Sequence, residues 1–100
     1  MSMINRYKFT KGVYSDYIIL ILKDGKYYSF GDDKRILDYI GFNNKLSILK
    51  KKSINFIVLD DLEILGYAKY EINNLYKYLY LSYISDILYK IKRIYLYRIK

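Results

Sequence analysis

The first stretch of unbroken apolar character is "DYIILILK" (Asp16 to Lys23), a run of Ile and Leu closed by Asp24-Gly25. A short continuous run of this kind predicts a strand buried on both faces. Asp24-Gly25 predicts a two-residue hairpin turn, because both central positions of such a turn require positive φ. "KYYSF" (Lys26 to Phe30) then returns as the antiparallel partner. Successive strand residues face opposite sides, so one of Tyr27 and Tyr28 is expected to fill the core while the other stays outside. Before the hairpin, Met1 to Lys11 is polar with scattered apolar residues, which fits a short helix or a loosely docked arm.

Gly31 ends the hairpin. Asp32-Asp33 offers an N-cap followed by a first-turn carboxylate, both favourable at a helix N-terminus. Ile36, Leu37, Tyr39 and Ile40 supply an apolar face, and Gly41 stands where a helix stops in the left-handed conformation. A two-turn helix from Asp32 to Ile40 is predicted. "NNKLSILKKKS" is a loop or short helix, and "INFIVL" (Ile54 to Leu59) is a second buried strand. Asp60-Asp61 turns the chain, after which "LEILGY" pairs back or crosses the sheet.

From Glu71 the period becomes helical. Ile72, Leu75, Tyr76, Leu79, Tyr83, Ile87 and Leu88 form an apolar stripe, which Ser82, Ser85 and Asp86 are placed to divide into two helices. "RIYLYRIK" reads as a closing strand or as the end of that helix. The resulting order is β-β-α-β-(β)-α-β. The expected fold is a single domain over residues 1–100, of class α/β (α+β): a mixed four- to five-stranded sheet that opens with a β-hairpin and is covered by helices.

Composition narrows the chemistry. The chain has 53% apolar residues, too many for a disordered tail. It contains no Cys and no His, which removes the thiolate nucleophile, the commonest metal ligand and the usual base near neutral pH. Ser29 and Ser53 therefore have no histidine to activate them. The glycines Gly12, Gly25, Gly31, Gly41 and Gly66 are isolated and build no phosphate loop. Asp32-Asp33 and Asp60-Asp61 are carboxylate pairs of the kind Mg²⁺ uses, but they fall at predicted caps and turns. Neither an enzyme nor a cofactor is expected, and no metal site is assigned.

No apolar run approaches the roughly 18 residues of a membrane span, and no signal-peptide core stands at the start. The expected location is the cytoplasm, that of the host if the gene is viral. Ile, Lys, Asn and Tyr dominate, the residues of A- and T-rich codons, which points to an AT-rich virus, a mobile element or a low-GC bacterium. That bias also supplies Lys and Tyr without any binding role.

The net charge of +8 suits a polyanionic partner. Two basic clusters stand out: Lys45, Lys50, Lys51 and Lys52, then Lys90, Lys92, Arg93, Arg98 and Lys100 among Tyr89, Tyr95 and Tyr97. Cations interleaved with aromatics are how proteins hold single strands. The nucleic-acid-binding candidates are Lys26, Tyr27, Tyr28, Lys50, Lys51, Lys52, Lys90, Lys92, Arg93 and Arg98. The other reading is a protein–protein module or small structural subunit with a tyrosine-rich interface, since Tyr is enriched at interface cores. DNA and a protein are thus the two partners considered.

One pattern extends beyond single elements. Tyr14, Asp16, Ile18 to Leu22, Gly25, Tyr27, Tyr28, Phe30 and Asp32-Asp33 together resemble the start of the N-terminal mismatch-recognition domain of the MutS mismatch-repair proteins. Gly66, Tyr70, Tyr76 and Leu79 are similar to a later segment of that domain, and "RIYLYRI" to its closing strand. The resemblance spans about Tyr7 to Ile99, with one residue missing before Gly31. It implies a DNA-reading hairpin. The family's reader is a Phe-x-Glu pair, Phe stacking on the mispaired base and Glu bonding to it. Here those positions fall on Tyr27 and Ser29, so the aromatic survives and the carboxylate does not. The ATPase and clamp domains of that family are not expected in 100 residues.

Overall fold

The computed structural model describes residues 2–99, with side chains described as far as residue 94. Four helices and four strands follow in the order α1 (Met3–Val13), β1 (Ile18–Lys23), β2 (Lys26–Tyr28), α2 (Gly31–Ile40), α3 (Leu46–Lys51), β3 (Phe56–Leu59), β4 (Ile64–Ala68) and α4 (Leu75–Ile99). The sheet order is β2-β1-β3-β4. Its centre is the parallel pair β1/β3, and both edge strands run antiparallel to their neighbours. This is a single α+β domain with a mixed four-stranded sheet.

The apolar run of β1 is continuous because helices cover both of its faces. Ile18 and Leu20 point to one side and pack with Phe56, Val58, Ile36, Leu37, Leu49 and Leu75, beneath α2, α3 and the first turn of α4. Ile19 and Ile21 point to the other side and pack with Ile57, Leu59 and Tyr7, beneath α1. The first segment is therefore a docked helix rather than a loose arm. Ser2 caps it by accepting from the Asn5 amide at 3.3 Å.

The turn between β1 and β2 has positive φ at both central residues, 53° at Asp24 and 75° at Gly25, as the dipeptide predicts. Gly41 ends α2 in the left-handed region, at φ 68° and ψ 46°. β4 does pair back on β3, with an irregularity between Val58 and Leu59 that shifts the register.

Three expectations require correction. Asp32-Asp33 does not cap α2: Phe30 holds the cap position without a side-chain bond. Asp33 is instead buried and reaches away from its own helix. Nor do Ser82, Ser85 and Asp86 divide the last helix. α4 runs unbroken because Ser82 donates its hydroxyl to the Leu79 carbonyl at 2.6 Å, satisfying itself within the helix. Finally, of the two readings of "RIYLYRI", the end of the helix is the one observed: the segment continues α4 through Ile99, which corrects only the closing strand that the resemblance implies.

Asparagines anchor the start of α4. Asn74 donates from its amide to the Ser53 carbonyl at 3.0 Å and from its side chain to the Lys52 carbonyl at 2.8 Å. Asn73 accepts from the Asn55 amide at 3.0 Å, and Asn55 in turn accepts from the Tyr70 amide at 2.8 Å. These bonds satisfy backbone groups that the irregular segment would otherwise leave unpaired.

Candidate nucleic-acid interface

The pairing of β1 with β2 decides which tyrosine of the hairpin faces outward. In the ladder Leu22 stands opposite Tyr27, Ile21 opposite Tyr28, and Lys23 opposite Lys26. Residues directly opposite share a face. Tyr27 therefore turns toward α2 and α3, where it is half-buried against the core, its ring centroid 6.0 Å from that of Phe42 in an edge-on contact. Tyr28 turns to the other face and is 40% exposed. Lys26, two residues earlier in β2, lies on the same face as Tyr28, and so does its cross-strand partner Lys23.

Both Tyr27 and Ser29, on which the resemblance would place the Phe-x-Glu pair, are engaged in the fold. Tyr27 packs inward. Ser29 donates its hydroxyl to the Ile19 carbonyl at 2.8 Å. The outward aromatic is Tyr28, one position along.

The hairpin is held from the side by Asn44, in the connection between α2 and α3. Its side-chain oxygen accepts from the Tyr27 amide at 2.8 Å, and its side-chain nitrogen donates to the Gly25 carbonyl at 3.1 Å. Asn43 and Asn44 both adopt positive φ, 47° and 61°, a region Asn enters more readily than most residues. The lock brings exposed Lys45, next in sequence, to the same corner as the turn.

A cleft of about 560 Å³ lies between β2 and α2, lined by Tyr27, Tyr28, Phe30, Lys34, Asp38 and Phe42 among others. A smaller groove of about 340 Å³ is bordered by Leu22, Tyr27, Leu46, Lys50 and Tyr67. Lys50 and Lys51 are exposed in the last turn of α3. Lys52 is half-buried, its ammonium 5.3 Å above the Tyr78 ring, so it serves the packing of α3 on α4.

The second basic cluster stands apart. Lys90, Lys92 and Arg93 are exposed on α4, which packs chiefly against α2. The side chain of Arg98 lies outside the described residues. The structure therefore gathers Lys26 and Tyr28 with Lys23, a residue absent from the candidates that the sequence suggests. A signal for it does exist: Lys23 and Lys26 flank Asp24-Gly25, and a two-residue turn makes such positions partners. The roles of Asn44 and Lys34 have no local signal.

Three of the four paired carboxylates, Asp32, Asp33 and Asp60, are engaged by the fold. Asp33 accepts from Lys11 Nζ at 2.8 Å, from the Tyr7 hydroxyl at 2.9 Å and from the Ile19 amide at 3.0 Å. Burial raises its pKa above the ordinary carboxyl value despite these donors, and burial beside Asp33 likewise pushes the Tyr7 hydroxyl up. Asp32 accepts from the Tyr83 hydroxyl at 2.5 Å. Asp60 accepts from the amides of Leu62 and Glu63, which lower its pKa and form the turn before β4.

Comparisons with family models, with curated proteins and with solved structures found no match to this chain. Among the described residues, no helix is long and apolar enough to cross a membrane.

Proposed function

We propose that this chain is a non-enzymatic nucleic-acid-binding domain that contacts its ligand through the β1–β2 hairpin. The observation that carries this reading is the shared face of Lys23, Lys26 and Tyr28, two cations beside an outward aromatic at a sheet edge. In this reading Tyr28 stacks on an unpaired base, and the two ammonium groups, with Lys34 across the adjoining cleft, neutralise phosphates. The net charge of +8 adds long-range attraction for a polyanion.

A likeness to the mismatch-reading domain of MutS proteins is part of the proposal. The hairpin followed by a helix supports it. The inward Tyr27 and the bonded Ser29 argue for a different base contact, with Tyr28 in place of the Phe-x-Glu pair.

The test is anisotropy of a labelled single-stranded oligonucleotide and of a mismatched duplex across a salt series. Tyr28→Ala is expected to weaken binding by about 1–3 kcal/mol with little change in melting temperature. Replacing Lys23 and Lys26 with alanine should reduce the single-strand salt slope by about 0.7 for each phosphate no longer neutralised. Absence of binding at low salt, or an affinity unmoved by Tyr28→Ala, would remove the proposal.

A further inference from the structure

α4 has 25 residues and is about 37 Å long at 1.5 Å per residue. The domain holds it as far as Asp86, through buried Leu75 and Ser82, half-buried Leu79, the Tyr83–Asp32 bond and the Asp86–Arg35 ion pair. The face turned away from the domain is also apolar. Ile84, itself half-buried, follows Leu75 by nine residues, which at about 100° per residue places it half a turn away. From Ile84 the residues Ile87, Ile91 and Ile94 recur at steps of three, four and three, and Tyr80 and Tyr76 extend the line backwards by fours. The last three isoleucines are 56%, 58% and 56% exposed, and Tyr80 is 66% exposed.

We propose that this stripe is a self-association seam, on which further copies of this chain pack their own α4 helices in parallel. Alternation of three and four residues is the spacing that keeps apolar side chains on one line between helices. β-Branched isoleucine at both alternating positions favours three or four strands over two. The area is sufficient. Tyr76, Tyr80, Ile87, Leu88, Ile91 and Ile94 expose roughly 700 Å² together, taking about 200 Å² for a whole large side chain. That approaches the ~800 Å² per partner of a standard stable interface and exceeds the ~300–600 Å² of the largest patch on a typical monomer.

Charge and geometry agree with a parallel arrangement. The stripe from Tyr80 to Ile94 carries no charge, and Lys92 and Arg93 project to other sides of the helix. Beside the seam stand Tyr83, Leu88 and Lys90. In a parallel bundle Lys90 meets no second lysine, while Tyr83 stays tied to Asp32 and Arg35 of its own domain. Each domain sits on the opposite face of its own helix, so it leaves the seam open. A seam of about two heptads is too short to hold an isolated helix, but here the packing of Leu75 and Leu79 has already nucleated α4.

Light scattering coupled to size exclusion tests this directly. The chain is expected to show a mass of three or four copies, falling on dilution. Ile87→Glu and Ile91→Glu should each reduce it to a single copy while circular dichroism retains the helical signal, and Ile91→Leu should keep the assembly. Because the chain has no cysteine, Ile91→Cys offers a second reading that does not depend on a disruptive variant. Mild oxidation should cross-link it between chains, whereas Ser85→Cys, off the stripe, should assemble without forming the cross-link. A single-copy mass for the unaltered chain at every concentration overturns the proposal. So does an assembly unmoved by both glutamate variants, or a chain that stays single and binds anionic vesicles through α4.

Discussion

The hydroxyl of Tyr7 donates to Oδ2 of Asp33 at 2.9 Å, joining α1 to α2 across 26 residues of sequence in a buried contact. The same carboxylate takes the Ile19 amide of β1 and the Lys11 ammonium, so one side chain ties two helices to the central strand. An apolar residue at 33 would leave the Tyr7 hydroxyl and the Ile19 amide unsatisfied. It would also leave Lys11, which is 24% exposed, without its counter-charge.

Asp33→Ala is accordingly expected to lose about 3–5 kcal/mol, near the cost of breaking a buried pair, moderated by the partial exposure of Lys11. Urea denaturation measures it. A loss below about 1 kcal/mol would show that α1 docks without this carboxylate.

The pH dependence of the same site has a definite sign. The carboxyl pKa of Asp33 is raised in the folded state by burial, so the folded chain holds its proton to higher pH than the unfolded chain does. Stability from this group therefore falls as pH rises from about 4 through the folded pKa, and is flat above it. Relative to Asp33→Asn, the unaltered protein should gain stability on acidification within that window. A relative loss there would mean that Lys11 and the other donors outweigh burial.

At the hairpin, Gly25 has φ 75° and nothing within 4 Å of where a Cβ would stand. The penalty of a substitution there is thus backbone strain alone. Gly25→Val should lower stability by about 1–3 kcal/mol. Gly25→Asn should lose much less, because Asn tolerates the left-handed region. Equal melting temperatures for the two variants would contradict the turn geometry.

Asn44 offers a local measurement. Its two bonds to the Gly25 carbonyl and the Tyr27 amide are exposed, and each is worth about 1 kcal/mol or less. Asn44→Ala should lower global stability slightly and markedly increase hydrogen exchange at the Tyr27 amide. Unchanged protection at that amide would show that the β1–β2 pairing holds the tip unaided.

Several features are legible in the sequence because they are local demands on the chain. The continuous run of Ile18 to Leu22 requires two covered faces. Asp24-Gly25 requires a tight turn, Gly41 a left-handed stop, and the 3.6-residue period a helix, which starts at Leu75 rather than at Glu71. Each follows from backbone sterics or periodicity within a few residues. Asp33 lies beyond that reach. Its sequence context is that of a helix cap, and only the approach of Tyr7, Lys11 and Ile19 makes it a buried acceptor. Tyr27 and Tyr28 alternate by rule, yet which one faces the core depends on where α2 and α3 lie. The stripe on α4 shows the same division. Of the stripe that the sequence marks, Leu75 and Leu79 do face the domain, whereas Tyr76, Tyr83, Ile87 and Leu88 are exposed and Ile72 precedes the helix. The domain takes Leu75 and Leu79 together with Ser82, because a helix apolar on two sides can dock by either, and the shape of the surface beneath α4 selects between them.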